Sequence, residues 1–291
     1  MKRQSRIVIL LVLALLLANP IDASAYPSEA EPTPSDHAAA SVDSSRTMQS
    51  TEQYNSYARP RKKQRKQAVM SWITLEKRYP GAFVTHGPRS VRRAALTFDD
   101  VPDPRYTGKV LDVLARYNVR ATFFVLGSLA TRYPQLVRRM EREGHTVGNH
   151  SYNHAVFSQL TAEQYQRQIA RTDAILAPLV GYSPRYIRPP YGEIRPAQVQ
   201  WAKRNGYVVV NWDVDSVDWR SLRSRSVIIN VRKTLQPGSI ILQHAGGGST
   251  QDLSGTVEAL PVIIRMLRNK GYELVTIPEM LGSSDGRWQQ R

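Results

Sequence analysis

From residue 94 onward, two hydrophobic patterns alternate along the chain. Short apolar runs of strand length, bounded by turn residues, take turns with longer segments whose apolar positions recur every three to four residues. The short runs cover 94–98, 121–126, 145–149, 186–188, 207–212, 239–243 and 272–276. Helices are predicted between them over 107–117, 128–143, 161–179, 195–205, 221–235 and 256–270. Val110, Leu111, Val113 and Leu114 mark the buried face of the first. Thr161, with Glu163 close behind, opens the longest helix, and Gly144, Gly206 and Gly271 close three others. A short helix over 71–79 precedes the first strand. Seven strands with intervening helices mean an α/β fold on a parallel sheet. No Gly-rich nucleotide turn follows a strand, which favours a closed or nearly closed barrel over the alternative, an open doubly wound sheet.

Ahead of this domain the pattern changes. Lys2, Arg3 and Arg6 precede an apolar run over 7–18, and Ala23-Ser24-Ala25 offers a small-residue cleavage site. Residues 1–25 are therefore expected to be a signal peptide, with an uncleaved membrane anchor as the alternative. Residues 26–70 read as a flexible tether, rich in Ser, Ala, Pro, Glu and Thr and carrying a basic run at 59–66. The folded domain is assigned to 71–291, with its core at about 90–282. With no cysteine in the chain, disulfides, thiol nucleophiles and cysteine zinc sites are excluded. Of the formal net charge of +16, residues 67–291 carry +12. An exported protein this basic is drawn to anionic cell-wall polymers or acidic lipids, so a secreted, wall-associated location is expected. Nucleic acid is not expected as a partner, since no basic motif is interleaved with aromatics. No protein partner is implied.

The polar residues that interrupt this pattern sit where a barrel puts its chemistry, just after strand C-termini. Asp99 and Asp100 end the first strand, His150 follows the third, Arg188 ends the fourth, and His244 follows the sixth. His150 and His154 are four apart, a spacing that on a helical turn puts both imidazoles on one face. With Asp100 they make an open two-nitrogen, one-oxygen set suited to zinc, or to cobalt or nickel. Asp99 is then placed to act as general base, and Arg188, within Arg188-Pro189-Pro190-Tyr191-Gly192, to hold it ionised through a bidentate contact. His244 is a candidate acid, the 213–219 stretch supplies its carboxylate partner, and Trp219 offers an apolar wall. Gly246, Gly247 and Gly248 lack the Lys-Ser/Thr of a phosphate loop and read as a flexible lip. His37 and His86 receive no role.

Taken together, Thr97-Phe98-Asp99-Asp100, His150-Ser151-Tyr152-Asn153-His154, Arg188-Pro189-Pro190-Tyr191-Gly192, Asp215-Ser216-Val217-Asp218-Trp219 and Leu242-Gln243-His244 resemble the ordered motifs of the polysaccharide deacetylases. These are the NodB-homology enzymes of carbohydrate esterase family four. The resemblance implies a distorted seven-stranded β/α barrel and metal-dependent removal of acetyl groups from N-acetylated sugars. It implies that Asp99 is the base, that Asp100, His150 and His154 hold the metal, and that His244 is the acid. It further implies that Arg188 orients Asp99 and that Asp218 tunes His244. Tyr191 would lend its N–H to the oxyanion, while Trp219 and Leu242 would line the acetyl pocket. One departure is Val101, where the family usually has Gly; a β-branched residue there resists positive φ and crowds the mouth. Peptidoglycan N-acetylglucosamine is the expected substrate, with chitin oligosaccharides or O-acetylated xylan as alternatives. An inactive barrel that only binds the wall is the non-enzyme alternative. The missing G-x-S-x-G elbow disfavours a serine hydrolase.

Overall fold

The computed structural model describes residues 70–283 and the backbone of 287–288. The leader, the basic run and nearly all of the tether lie outside them. The described elements are, in order, α1 (Trp72–Arg78), β1 (Phe83–Val84), β2 (Arg93–Val101), α2 (Thr107–Arg116), β3 (Thr122–Val125), α3 (Gly127–Arg132), α4 (Pro134–Arg142), β4 (Thr146–Asn149), α5 (Ala162–Val180), β5 (Ser183–Pro184), β6 (Tyr186–Ile187), α6 (Pro196–Arg204), β7 (Val208–Val210), β8 (Val214–Asp215), α7 (Ser224–Thr234), β9 (Ser239–His244), α8 (Ser254–Asn269), β10 (Glu273–Leu274), α9 (Ile277–Met280) and β11 (Arg287–Trp288).

The main sheet runs β1-β7-β6-β4-β3-β2-β9-β8, with β10 also on β2, and every ladder in it is parallel. Nine residues long, seven of them buried, β2 forms its centre, zipped to β9 from Ala94 through Asp99. The α/β barrel expectation holds in a curled, half-barrel form. Among the described residues no ladder joins β1 to β8. A single bridge, His86 to Ser239, links the segment after β1 to the start of β9. β1, β5, β8 and β11, two residues each, lie outside the seven predicted runs.

The helix expected over 128–143 is two helices. Pro134 has no N–H to continue the first, and Tyr133 before it takes φ −131° and ψ 54°. α5 is opened by a reciprocal box in which Thr161 Oγ1 accepts from Gln164 N and Gln164 Oε1 accepts from Thr161 N. The reciprocal partner is thus Gln164 rather than Glu163, and such a cap stabilises by about 1 kcal/mol.

Helices α2, α4, α5, α7 and α8 bury one face against the sheet, where Leu111, Leu114, Ile263 and Ile264 meet Leu96, Phe98, Phe123 and Ile241. A second cluster of Leu75, Tyr79, Phe83, Phe157, Tyr165 and Ile187 locks α1 and α5 around β1 and β6. At about 1.5–3 kcal/mol for each large apolar side chain buried, these layers fix the strands. Because the strands are parallel, the ends of β2, β4, β6, β8 and β9 open on one rim. That rim holds the polar residues.

Candidate active site

Asp99 sits at the end of β2 and is almost fully buried, as is Arg188 just after β6. The guanidinium donates from Nη1 to Asp99 Oδ1 at 2.8 Å and to Thr97 Oγ1 at 2.8 Å. Its Nε donates to the Val210 carbonyl at 3.0 Å, and the group stacks 4.1 Å from the centre of the Phe124 ring. The expected bidentate fork is therefore a single bond to Asp99, with the other donors spent on locking the arginine itself. The Arg188 carbonyl accepts from His150 Nδ1 at 2.8 Å, which turns His150 Nε2 toward the cleft and Asp100.

His150 and His154 come together without a helical turn. Residues 150–154 form a loop in which Ser151 (φ 74°) and His154 (φ 61°) are left-handed, and the two rings lie 5.1 Å apart. Side-chain bonds hold this conformation: Ser151 Oγ accepts from His154 N, and Asn149 Oδ1 accepts from Ser151 N, both at 2.9 Å. Asn149 in turn donates to Asp173 Oδ1 at 2.8 Å, and the Tyr207 hydroxyl donates to Asp173 Oδ2 at 2.6 Å. Burial pushes the Asp173 carboxyl up to about 6 despite those two bonds.

Asp100 is also left-handed, at φ 60°. The positive φ thus falls on Asp100 rather than Val101, whose side chain is fully buried in the main core and leaves the mouth open. Asp100 Oδ1 lies 3.2 Å from His154 Nε2 and 3.5 Å from His150 Nε2, yet it is buried without a hydrogen bond. One ligand atom from each of the three residues falls within 4.8 Å of the others. An orphaned carboxylate oxygen between two imidazole nitrogens fits a divalent cation. Burial opposes ionisation of Asp100, but His150, and more weakly His154 and His244, bring its carboxyl down to about 2.

Across the cleft, β9 ends in His244. Asp218 Oδ1 binds the imidazole Nδ1 at 2.8 Å, while Oδ2 accepts from the His244 N–H and from Thr256 Oγ1, each at 2.8 Å. Burial works against a charged imidazole. Asp218, with smaller contributions from Asp100 and Asp99, outweighs it and raises His244 to about 9.

These groups line one cleft of about 520 Å³ together with Tyr191, Trp212, Asp215, Trp219, Leu242, Gly248 and Gln251. All ten residues expected at the site therefore converge, with Arg188 and Asp218 just behind the lining. Tyr191 (φ 60°) stands exposed beside the His154 ring, and its N–H has no acceptor among the described residues. Trp212 and Gln251 were missed, although Trp212 obeys the same rule of position just after a strand end, and Asp215, within the 213–219 stretch, receives no role of its own from the sequence.

The glycine lip is tied rather than loose. Arg105, paired with Asp103 at 2.7 Å, donates to the carbonyls of Gly247, Gly248 and Ser249 at 2.8–3.2 Å. Gly246 lies so close that a Cβ there would meet the Asp100 carbonyl oxygen at 1.8 Å.

Residues 86–210 match the polysaccharide deacetylase family. The chain is 43% identical over 217 residues to a peptidoglycan-N-acetylglucosamine deacetylase of Bacillus cereus, covering 75% of this chain and 76% of that protein. It belongs to the polysaccharide deacetylase family. The deacetylase is also 35% identical to a chitooligosaccharide deacetylase of Bradyrhizobium, over 67% of this chain and 91% of the relative. The crystal structure of a peptidoglycan N-acetylglucosamine deacetylase, in complex with a naphthalenyl N-oxidanyl-benzamide, superposes on the deacetylase with a TM-score of 0.71 at 42% identity. That match covers 74% of this chain and 99% of the other.

Proposed function

We propose that this deacetylase hydrolyses the acetamide of N-acetylglucosamine in peptidoglycan, releasing acetate. The observation that carries the reading is the orphaned Asp100 oxygen between two imidazoles, flanked by the Asp99–Arg188 pair on one side and the Asp218–His244 pair on the other. In this reading Asp100, His150 and His154 hold a divalent cation, zinc with cobalt or nickel as substitutes. When bound, it polarises the acetyl carbonyl and acidifies a water. Asp99 accepts the proton of the attacking water as oxygen bonds to the carbonyl carbon. Arg188 keeps that carboxylate aimed through its bond to Oδ1. The Tyr191 N–H donates to the developing oxyanion. His244, charged through Asp218, delivers a proton to the sugar nitrogen as the C–N bond breaks. Leu242 and Trp219 flank the acetyl methyl.

We further propose that the protein is exported and held at the cell wall by its basic charge. Attraction of that kind is screened over about 8 Å at physiological ionic strength, so wall binding weakens as salt rises while turnover of short neutral oligosaccharides changes little. The test is acetate release from a panel of N- and O-acetylated glycans, with and without chelator, beside mass spectrometry of treated muropeptides. Chelator-sensitive loss of acetyl from wall fragments is expected. Loss from chitooligosaccharides but never from wall fragments overturns the peptidoglycan reading, and release from O-acetylated xylan alone makes the protein an esterase.

A further inference from the structure

Helix α1 lies ahead of the stretch that matches the family, and it contributes no group to the cleft lining. It is anchored independently of the site. Leu75 and Tyr79 are buried in the second core cluster, and the Glu76 carboxylate accepts from Thr85 N and Thr85 Oγ1 at 3.1 and 3.2 Å. From this fixed helix Trp72 reaches a residue 120 positions further along: its indole N–H donates to the Gly192 carbonyl at 3.0 Å. Asn211 Nδ2 donates to the same oxygen at 3.1 Å.

That carbonyl belongs to the turn that presents the Tyr191 N–H. Tyr191 and Gly192 are consecutive left-handed residues, at φ 60° and 69°, and for tyrosine this backbone persists only where its surroundings impose it. The entry to the turn is fixed, since the Arg188 N–H donates to the Asn149 carbonyl at 3.0 Å and the Arg188 carbonyl accepts from His150. The exit is fixed by what grips the Gly192 carbonyl. Indole and turn are fitted closely: a Cβ on Gly192 would lie 2.3 Å from a Trp72 ring carbon. The Trp72 ring also meets the Trp212 ring edge-on at 4.9 Å, and Trp212 lines the cleft.

We propose that Trp72 is a positioning residue for deacetylation, which holds the Tyr191 turn by its bond to Gly192 so that the Tyr191 N–H stays aimed at the forming oxyanion. This rests on the oxyanion role given to Tyr191. Such a residue acts on the transition state and leaves ground-state binding and the metal site untouched.

Trp72→Phe keeps an aromatic ring beside Trp212 and removes the N–H. On a chitooligosaccharide its kcat falls by about 10- to 100-fold, with KM within about twofold and zinc affinity that of the wild type. Ile73→Ala, on the exposed side of the same helix, changes none of these. In the resting protein, amide hydrogen exchange across 189–193 speeds up in Trp72→Phe. That readout needs no substrate, so a wild type that releases no acetate refutes the deacetylase reading and still leaves the Trp72 bond testable. If the phenylalanine variant does not fold, 3-benzothienylalanine at position 72, which matches indole in shape and lacks the N–H, gives the same comparison. Unchanged kcat and exchange, or a loss confined to KM or to metal occupancy, overturns the proposal.

Discussion

One wall of the cleft bonds Asp99 to Arg188, the other bonds Asp218 to His244, and both contacts are 2.8 Å. In the first pair the carboxylate faces the cleft, and its partner is a cation with three further anchors and no route to lose its charge. In the second pair the carboxylate is the hidden partner, bonded three times, and the imidazole faces the cleft. The first arrangement produces a fixed anion that can take a proton. The second produces a cation that can give one. Two ion pairs of the same length thus acquire opposite duties from which member is exposed to substrate and which is immobilised behind it.

Breaking what lies between the pairs has the largest expected effect. His150→Ala and Asp100→Ala lose the metal, measured by elemental analysis, and activity falls by at least about a thousandfold. Full occupancy in both variants would falsify the ligand assignment. Next comes the base pair. Asp99→Asn keeps the metal and loses about a hundredfold or more in kcat. Arg188→Ala leaves a buried carboxylate unpaired and destabilises the fold by about 3–5 kcal/mol, read by denaturant titration. An Arg188→Ala protein as stable as wild type would show that the pair is not what holds this wall.

The acid pair is sharper in pH than in magnitude. His244 sits at about 9 against an ordinary 6.5, so its contribution to stability is complete below about 6.5 and is lost as pH rises through about 9. In Asp218→Asn that dependence flattens, and the alkaline limb of the rate profile moves to lower pH. An unmoved limb with activity retained removes Asp218 from the proton relay. A bound cation repels a proton on His244, so the limb of the metal-loaded enzyme lies below the metal-free value. The smallest effect is at Val101. Val101→Gly empties a packed position and costs about 2–3 kcal/mol of stability, with no gain in turnover, because the mouth is already clear of that side chain.

The contrast also explains what could be read from the residues alone. Base, ligands and acid sit at the ends of apolar runs, and a parallel sheet carries all such ends to one rim, so Asp99, Asp100, His150, Arg188 and His244 were legible. The backbone that aims them was not. Asp100, Ser151, His154 and Tyr191 are left-handed without being glycine; Asp and His tolerate that backbone more readily than most residues, but tolerance does not mark where it is adopted. The 150–154 spacing consequently suggested a helical turn where the chain forms a loop. Supports that arrive from far along the chain, such as Asp173 under Asn149 and Trp72 under Gly192, leave no local pattern at all. Val101 misled for a related reason: the residue that takes the positive φ is its neighbour.

Gly246 gives the site an unguarded flank in mutational terms. Any side chain there begins with a carbon 1.8 Å from the Asp100 carbonyl oxygen, so each replacement displaces the strand end that carries a ligand. A lineage can therefore go silent through one missense change while keeping every base, acid and ligand residue. A screen that scores only those residues would count the silent copy as working.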